Sequence, residues 1–131
     1  MFKKQGFTLV ELIIVIAILG ILAAMVLPRF VSLQTKANES TTKGGLGSLR
    51  AAVATTYASR ATYNITPYVP TTIEASMFQE NQIPVDQTVF PASSTVTVSN
   101  GAVSSSASAG GWFYDSATGR VWVNNSAYSS W

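Results

Sequence analysis

Residues 7–28 read FTLVELIIVIAILGILAAMVLP, and two lysines, Lys3 and Lys4, stand just ahead of them. From Phe7 to Leu27 only Thr8 and Glu11 are clearly polar, and Leu12 to Leu27 carry no polar side chain. A helix rises about 1.5 Å per residue, so a run of roughly 21 residues spans about 30 Å, the thickness of bilayer hydrocarbon. The lysines on one flank predict an N-terminus held on the cytoplasmic side, with the rest of the chain outside.

Three readings of this segment are open on physical grounds. A secretory signal peptide has the same basic flank and apolar run, with Ala23-Ala24 as the small pair at a cleavage site. A plain single-span anchor needs only the length. Neither uses Glu11, although a charge inside hydrocarbon costs about 2.5–3.5 kcal/mol on the insertion scale. The third reading makes that carboxylate functional, with a partner that the segment itself does not contain and that comes from another chain or a terminus.

The longer stretch KKQGFTLVELIIVIAILGILAAMVLP, residues 3–28, resembles the N-terminus of type IV pilins and of type II secretion pseudopilins. The resemblance covers that stretch of the 131 residues, and its compound pattern of Gly, Phe, Thr, Leu, Val and Glu before a polar-free run is specific. It implies a leader of residues 1–6, cut by a prepilin peptidase between Gly6 and Phe7, with N-methylation of Phe7. It makes Glu11 the family's docking acid, facing the positive amine of Phe7 on a neighbouring subunit. A matched amine recovers much of the cost of a carboxylate in low dielectric. Because the pairing is satisfied at one axial offset, it sets register more than affinity. Gly20 and Pro28 match a family glycine and proline between which the helix can loosen on assembly; the plain alternative is a proline kink.

The same resemblance implies an α+β, type IV pilin-like fold, with a long N-terminal helix packed on a small C-terminal antiparallel β-sheet. The implied function is a structural subunit, a pilin that polymerises into a helical filament. The alternative is a minor pilin or pseudopilin of a type II secretion-type system. The implied partners are further copies of the chain, minor pilins, the prepilin peptidase, a cytoplasmic assembly ATPase and a platform protein. The implied location is the inner membrane as a single-pass precursor, then the cell surface.

Beyond Pro28 the pattern changes. Leu46, Leu49, Val53 and Tyr57 recur at helical spacing, which predicts an amphipathic stripe. The division expected is a membrane or filament-core segment over 7–28, an amphipathic continuation over 29–63, and a globular region over 64–131. One helix is expected from about Thr8 to about Tyr63, with Asn64 near its end. Gly44, Gly45 and Gly47 could break it, bend it or permit a close contact. Residues 64–91 hold Pro67, Pro70, Pro84 and Pro91 and read as a loop-rich connection, with a short helix over TIEASMFQEN capped by Thr71 or Thr72. Val96 and Val98 alternate with Thr and Ser ahead of Asn100-Gly101, a hairpin turn pair, and a Ser/Gly-rich stretch follows, read as a solvated loop with a glycosylated patch as the alternative. A final hairpin joins Trp112–Tyr114 to Arg120–Val123, with Gly119 supplying the left-handed position. One set of its alternating side chains, Trp112, Tyr114, Val121 and Val123 or else Phe113 and Trp122, should cover the helix.

Composition bounds the chemistry. There is no Cys and no His, so soft metal sites and the usual nucleophile–base pairs are absent. Asp86 and Asp115 are the only aspartates, too few for a calcium cage, so no metal or other cofactor is expected and Asp115 reads as a turn residue. The net charge of +2 comes from eight basic and six acidic residues, and Lys3 and Lys4 account for the excess. That balance argues against nucleic-acid binding. A membrane-anchored enzyme and a secreted monomeric binding domain released by an ordinary signal peptidase are the competing classes; the six acids are scattered without helix-spaced pairing, which counts against the enzyme.

Overall fold

The structure, a computed structural model, describes residues 6–100, 110–128, 130 and 131. A helix, α1 (Leu9–Thr62), is followed by a 3-10 turn at Ala75–Met77, strands β1 (Val96–Ser99), β2 (Trp112–Asp115) and β3 (Arg120–Val123), and a 3-10 turn at Ser126–Tyr128. The chain divides into two units, one ending at Lys36 and one running from Ala37 to Trp131.

α1 has the extent expected from the sequence, and neither Pro28 nor the three glycines interrupt it. Its C-terminus is closed by Asn64 at φ 54°: the Ile65 N–H donates to Arg60 O at 2.8 Å and the Asn64 N–H to Ala61 O at 3.3 Å. That pair of bonds is the Schellman arrangement, with asparagine taking the left-handed position usual for glycine. The Asn64 side chain then accepts from the Tyr68 hydroxyl at 2.7 Å, which fixes the start of the outgoing loop.

In the C-terminal unit α1 buries Thr42, Leu46, Leu49, Ala52 and Val53 along one stripe. They meet Trp112, Tyr114, Val121 and Val123, so this set of hairpin side chains covers the helix, while Phe113 and Trp122 pair on the other face with ring centroids 6.2 Å apart. Tyr57 departs from the expected stripe. It is half exposed and stacks edge-on against Tyr68. Of the three glycines, Gly45 permits a close contact: a Cβ there would lie 3.1 Å from Pro84 Cβ and 3.2 Å from the Trp112 ring. The Trp112 indole N–H donates to Pro84 O at 2.6 Å, and the Tyr114 hydroxyl to Pro70 O at 2.6 Å, so both buried aromatics are satisfied by the loop. Burial raises the Tyr114 phenol above its ordinary pKa.

The sheet has the order β1-β2-β3 and is mixed. β2 and β3 form the expected antiparallel hairpin, with Phe113 opposite Trp122 and Gly119 at φ 74° in the turn. Asp115 shapes that turn, accepting from the Ala117 N–H at 2.9 Å and the Thr118 hydroxyl at 2.6 Å. β1 departs from the antiparallel expectation: it runs parallel to β2, with Val96 opposite Trp112. A parallel partner needs a crossover of about a dozen residues, and the chain between β1 and β2 supplies that length. The expected Asn100-Gly101 hairpin, its return strand and the Ser/Gly stretch fall largely on residues 101–109, outside the described residues. The short helix expected over TIEASMFQEN shrinks to the one turn at Ala75–Met77. Glu74, not a threonine, holds its N-cap position, with no side-chain cap bond.

Asp86 is fully buried and joins three parts of the C-terminal unit. Its Oδ1 accepts from the Thr88 N–H at 2.9 Å, the Thr88 hydroxyl at 2.6 Å and the Thr42 hydroxyl of α1 at 3.3 Å. Its Oδ2 accepts from the Gly111 N–H at 3.1 Å, just before β2. Gly111 has φ 77°, and a Cβ there would lie 2.3 Å from Thr95 O, so no side chain fits between the loop and the sheet. The C-terminal segment returns to α1: Tyr128 OH donates to Glu39 at 3.2 Å, and Lys43 Nζ lies 4.1 Å from the Trp131 ring centroid. Arg50 donates to Val121 O of β3 at 3.2 Å and to Trp131 O at 2.6 Å.

Replacing Asp86 by Ala leaves two hydroxyls and two amides unpaired in a dry site. We expect a loss of about 3 kcal/mol, with Asp86→Asn losing less, since bonds to a buried charge are worth roughly 1.5–3 kcal/mol. Thermal denaturation of the detergent-solubilised chain checks this, and an unchanged midpoint for Asp86→Ala contradicts it.

Candidate functional site

None of the described residues of the N-terminal unit is buried. Phe7 is 88% exposed, and every large apolar residue from Leu9 to Leu33 is exposed too. These side chains lie on all faces of α1, a distribution found in helices that sit in lipid or in the middle of a larger assembly. The helix carries a mean hydropathy of 3.0 over its most apolar stretch, long and apolar enough to cross a bilayer. The exposed apolar surface continues past Pro28 through Phe30, Val31 and Leu33, beyond the boundary read from the sequence.

The carboxylate has a partner that sequence reading missed. Thr8 precedes the first helical residue, and its N–H and hydroxyl donate to Glu11 Oε2 at 2.9 and 2.8 Å. In return the Glu11 N–H donates to Thr8 Oγ1 at 3.3 Å. This is a capping box: a threonine at the N-cap and a glutamate three residues later satisfy each other's orphan donors. The signal was present in the sequence as T-x-x-E ahead of an apolar run. The glutamate also places negative charge at the positive end of the helix dipole. Among the described residues Glu11 Oε1 accepts no hydrogen bond, so one oxygen of the carboxylate stays open to a cation from outside the chain.

Gly6 and Phe7 lie ahead of α1 in non-helical, exposed backbone, where the peptide bond between them is not locked into the helical ladder. A Cβ on Gly6 would meet nothing within 4 Å, so the fold itself places no demand for glycine there. The same holds for Gly20, which is exposed and has open space around it. Pro28 removes one helical N–H without ending α1. Phe7 and Glu11 therefore come together at the tip of the helix, whereas Gly20 and Pro28 lie farther along it. Among the described residues there is no cluster of three metal-ligating side chains.

Residues 1–27 match the prokaryotic N-terminal methylation motif. The chain is 38% identical over 97 residues to the fimbrial protein EcpB of Eikenella corrodens, covering 71% of this chain and 61% of that protein. It is 39% identical over 62 residues to the type IV major pilin protein PilA of Myxococcus xanthus, covering 47% of this chain and 28% of the relative. It is also 41% identical over 51 residues to the type II secretion system core protein G of Pseudomonas aeruginosa, covering 39% of this chain and 36% of that protein. The chain thus spans less than two thirds of the length of these relatives. No solved structure matches it. The chain therefore carries the prokaryotic N-terminal methylation motif at the tip of a capped, apolar helix and is similar to a fimbrial protein, a type IV major pilin and a type II secretion core protein.

Proposed function

We propose that this chain is the structural subunit of a type IV pilus-like filament and has no catalytic role. The observation that carries the reading is the helix from Leu9 to Leu33, which exposes large apolar side chains on every face and is buried by none of the described residues. Before assembly the inner membrane covers it, with the N-terminus cytoplasmic; afterwards the helices of neighbouring subunits do. Lipid shelters the apolar surface as well as protein does, so burial alone does not drive extraction. The cytoplasmic assembly ATPase and the platform protein supply that work, and minor pilins complete the assembly.

A prepilin peptidase cuts between Gly6 and Phe7 and the new amine is N-methylated. That amine is a cation at the tip of the helix, and the open oxygen of Glu11 on the adjoining subunit is its counter-charge. Thr8 holds the carboxylate in place, so the docking acid is oriented before its partner arrives. Gly20 and Pro28 are the positions at which the helix can loosen when subunits pack. A second reading, a pseudopilin of a type II secretion-type system, is supported by the similarity to core protein G.

Mass spectrometry of the mature N-terminus tests processing: the expected product begins at methylated Phe7, and a start near Met25 indicates an ordinary signal peptide. Because the fold tolerates a side chain at Gly6, loss of cleavage in Gly6→Leu reports the peptidase's own requirement. Normal cleavage of that variant counts against the assignment. Glu11→Ala is expected to insert and be processed but to yield few fibres by electron microscopy of sheared material. Thr8→Val should reduce fibre yield less, because it frees the carboxylate without removing it. Wild-type-like fibres from Glu11→Ala contradict the docking role.

A further inference from the structure

The C-terminal unit has two dissimilar ends. Where α1 passes Thr42 and Gly45, residues 86–93 form a loop closed by mutual backbone bonds between Asp86 and Ser93 at 2.7 and 3.0 Å. The buried Asp86 carboxylate ties the base of that loop to α1 and to the start of β2. From this anchored base Phe90 projects 101% exposed, more than any other large apolar residue of the unit among the described residues. The whole ring is thus free to be buried against a neighbour, and an aromatic ring buries a large area when it is.

At the other end, between α1, the loop at Val69-Pro70 and the turn of the β2–β3 hairpin, lies a cavity of about 580 Å³. Val53, Val69 and Val121 give it an apolar floor, and Tyr57, Trp122 and Arg120 stand among its lining residues. From Thr42 to Tyr57 α1 advances about 22 Å, so loop and cavity face different parts of any neighbour. One acid and one base of the unit are left over for a neighbour. Glu39, Glu74, Asp86 and Asp115 accept hydrogen bonds, and Lys43, Arg50 and Arg60 are held by a ring or by carbonyls. Glu80 and Arg120 have no such partner among the described residues. Arg120 lines the cavity, and Glu80 lies just ahead of Pro84 on the stretch that leads into the Phe90 loop.

We infer that these ends are plug and socket between copies of this chain: the Phe90 loop of one copy fills the Tyr57–Trp122 cavity of the next, with Glu80 facing Arg120. The inference deepens the filament reading and rests on it. Paired in one direction, such a contact leaves a free plug at one end and a free socket at the other, and head-to-tail contacts whose rotation does not close propagate into open helical arrays. Tyr, Trp and Arg around an apolar floor are the residue types that dominate binding energy at protein contacts.

The chain has no cysteine, so an engineered pair reports a single contact. Ala54→Cys in the cavity and Ala92→Cys beside Phe90 keep the plug itself intact. Treating sheared fibres of the double variant with a short bis-maleimide is expected to give a ladder of covalent multimers, and each single variant is expected to give none. Phe90→Ser should lower fibre yield several-fold. Glu80→Arg and Arg120→Glu should each do the same, and combining them should restore the yield. Fibres that form but give no ladder, cross-linking of Ala92→Cys to a different protein, or a charge swap without rescue each overturn this inference while leaving the filament reading in place. If the wild-type chain makes no fibres in its native host, both fall together.

Discussion

Water cannot solvate a helix that is apolar all the way round, and this constraint governs the molecule. Over its first half α1 offers exposed Leu, Ile, Val and Met in every direction. The segment is stable only where lipid or other helices replace water. From Phe7 to Leu27 the polar side chains are gathered at the tip, where Thr8 and Glu11 satisfy each other. A helix end in an apolar medium must satisfy its free N–H groups from its own side chains, because no solvent is there to do so. The capping box therefore lets the same carboxylate finish the helix and remain half available to a cation.

The C-terminal unit solves a different problem with few residues. Without disulfides it relies on hydrogen-bonded polar groups placed where loop, helix and sheet converge. Asp86 and Thr42 are both fully buried, and between them they engage Thr88, Gln87 and Gly111. Gly45 admits the Trp112 ring against the helix, and Trp112 and Tyr114 reach loop carbonyls. Long loop segments thereby stay attached with little regular structure of their own.

Much of this was legible in the sequence, and the exceptions have physical reasons. The long helix, its end near Asn64 and the final hairpin followed from periodicity and turn chemistry, which are local signals. The partner of β1 did not, because strand direction depends on a crossover that no short-range pattern encodes. Asp86 read as an isolated acid, since its four donors come from residues as far apart as Thr42 and Gly111. The pairing of Thr8 with Glu11 was readable and was missed because the charge was weighed against hydrocarbon before it was weighed as a cap. The cavity at Tyr57 was hidden because Tyr57 fits the apolar stripe by spacing, while the loop at Val69-Pro70 and the hairpin turn that line the cavity with it are distant in sequence.

Arg50 adds one more consequence. Its guanidinium sits on Val121 O, a backbone acceptor of β3, the last strand in the sheet order. A border strand with bare acceptors invites a foreign strand to zip onto it, and crowding multiplies that hazard. With a cation clamped over this margin, strand-to-strand accretion is discouraged.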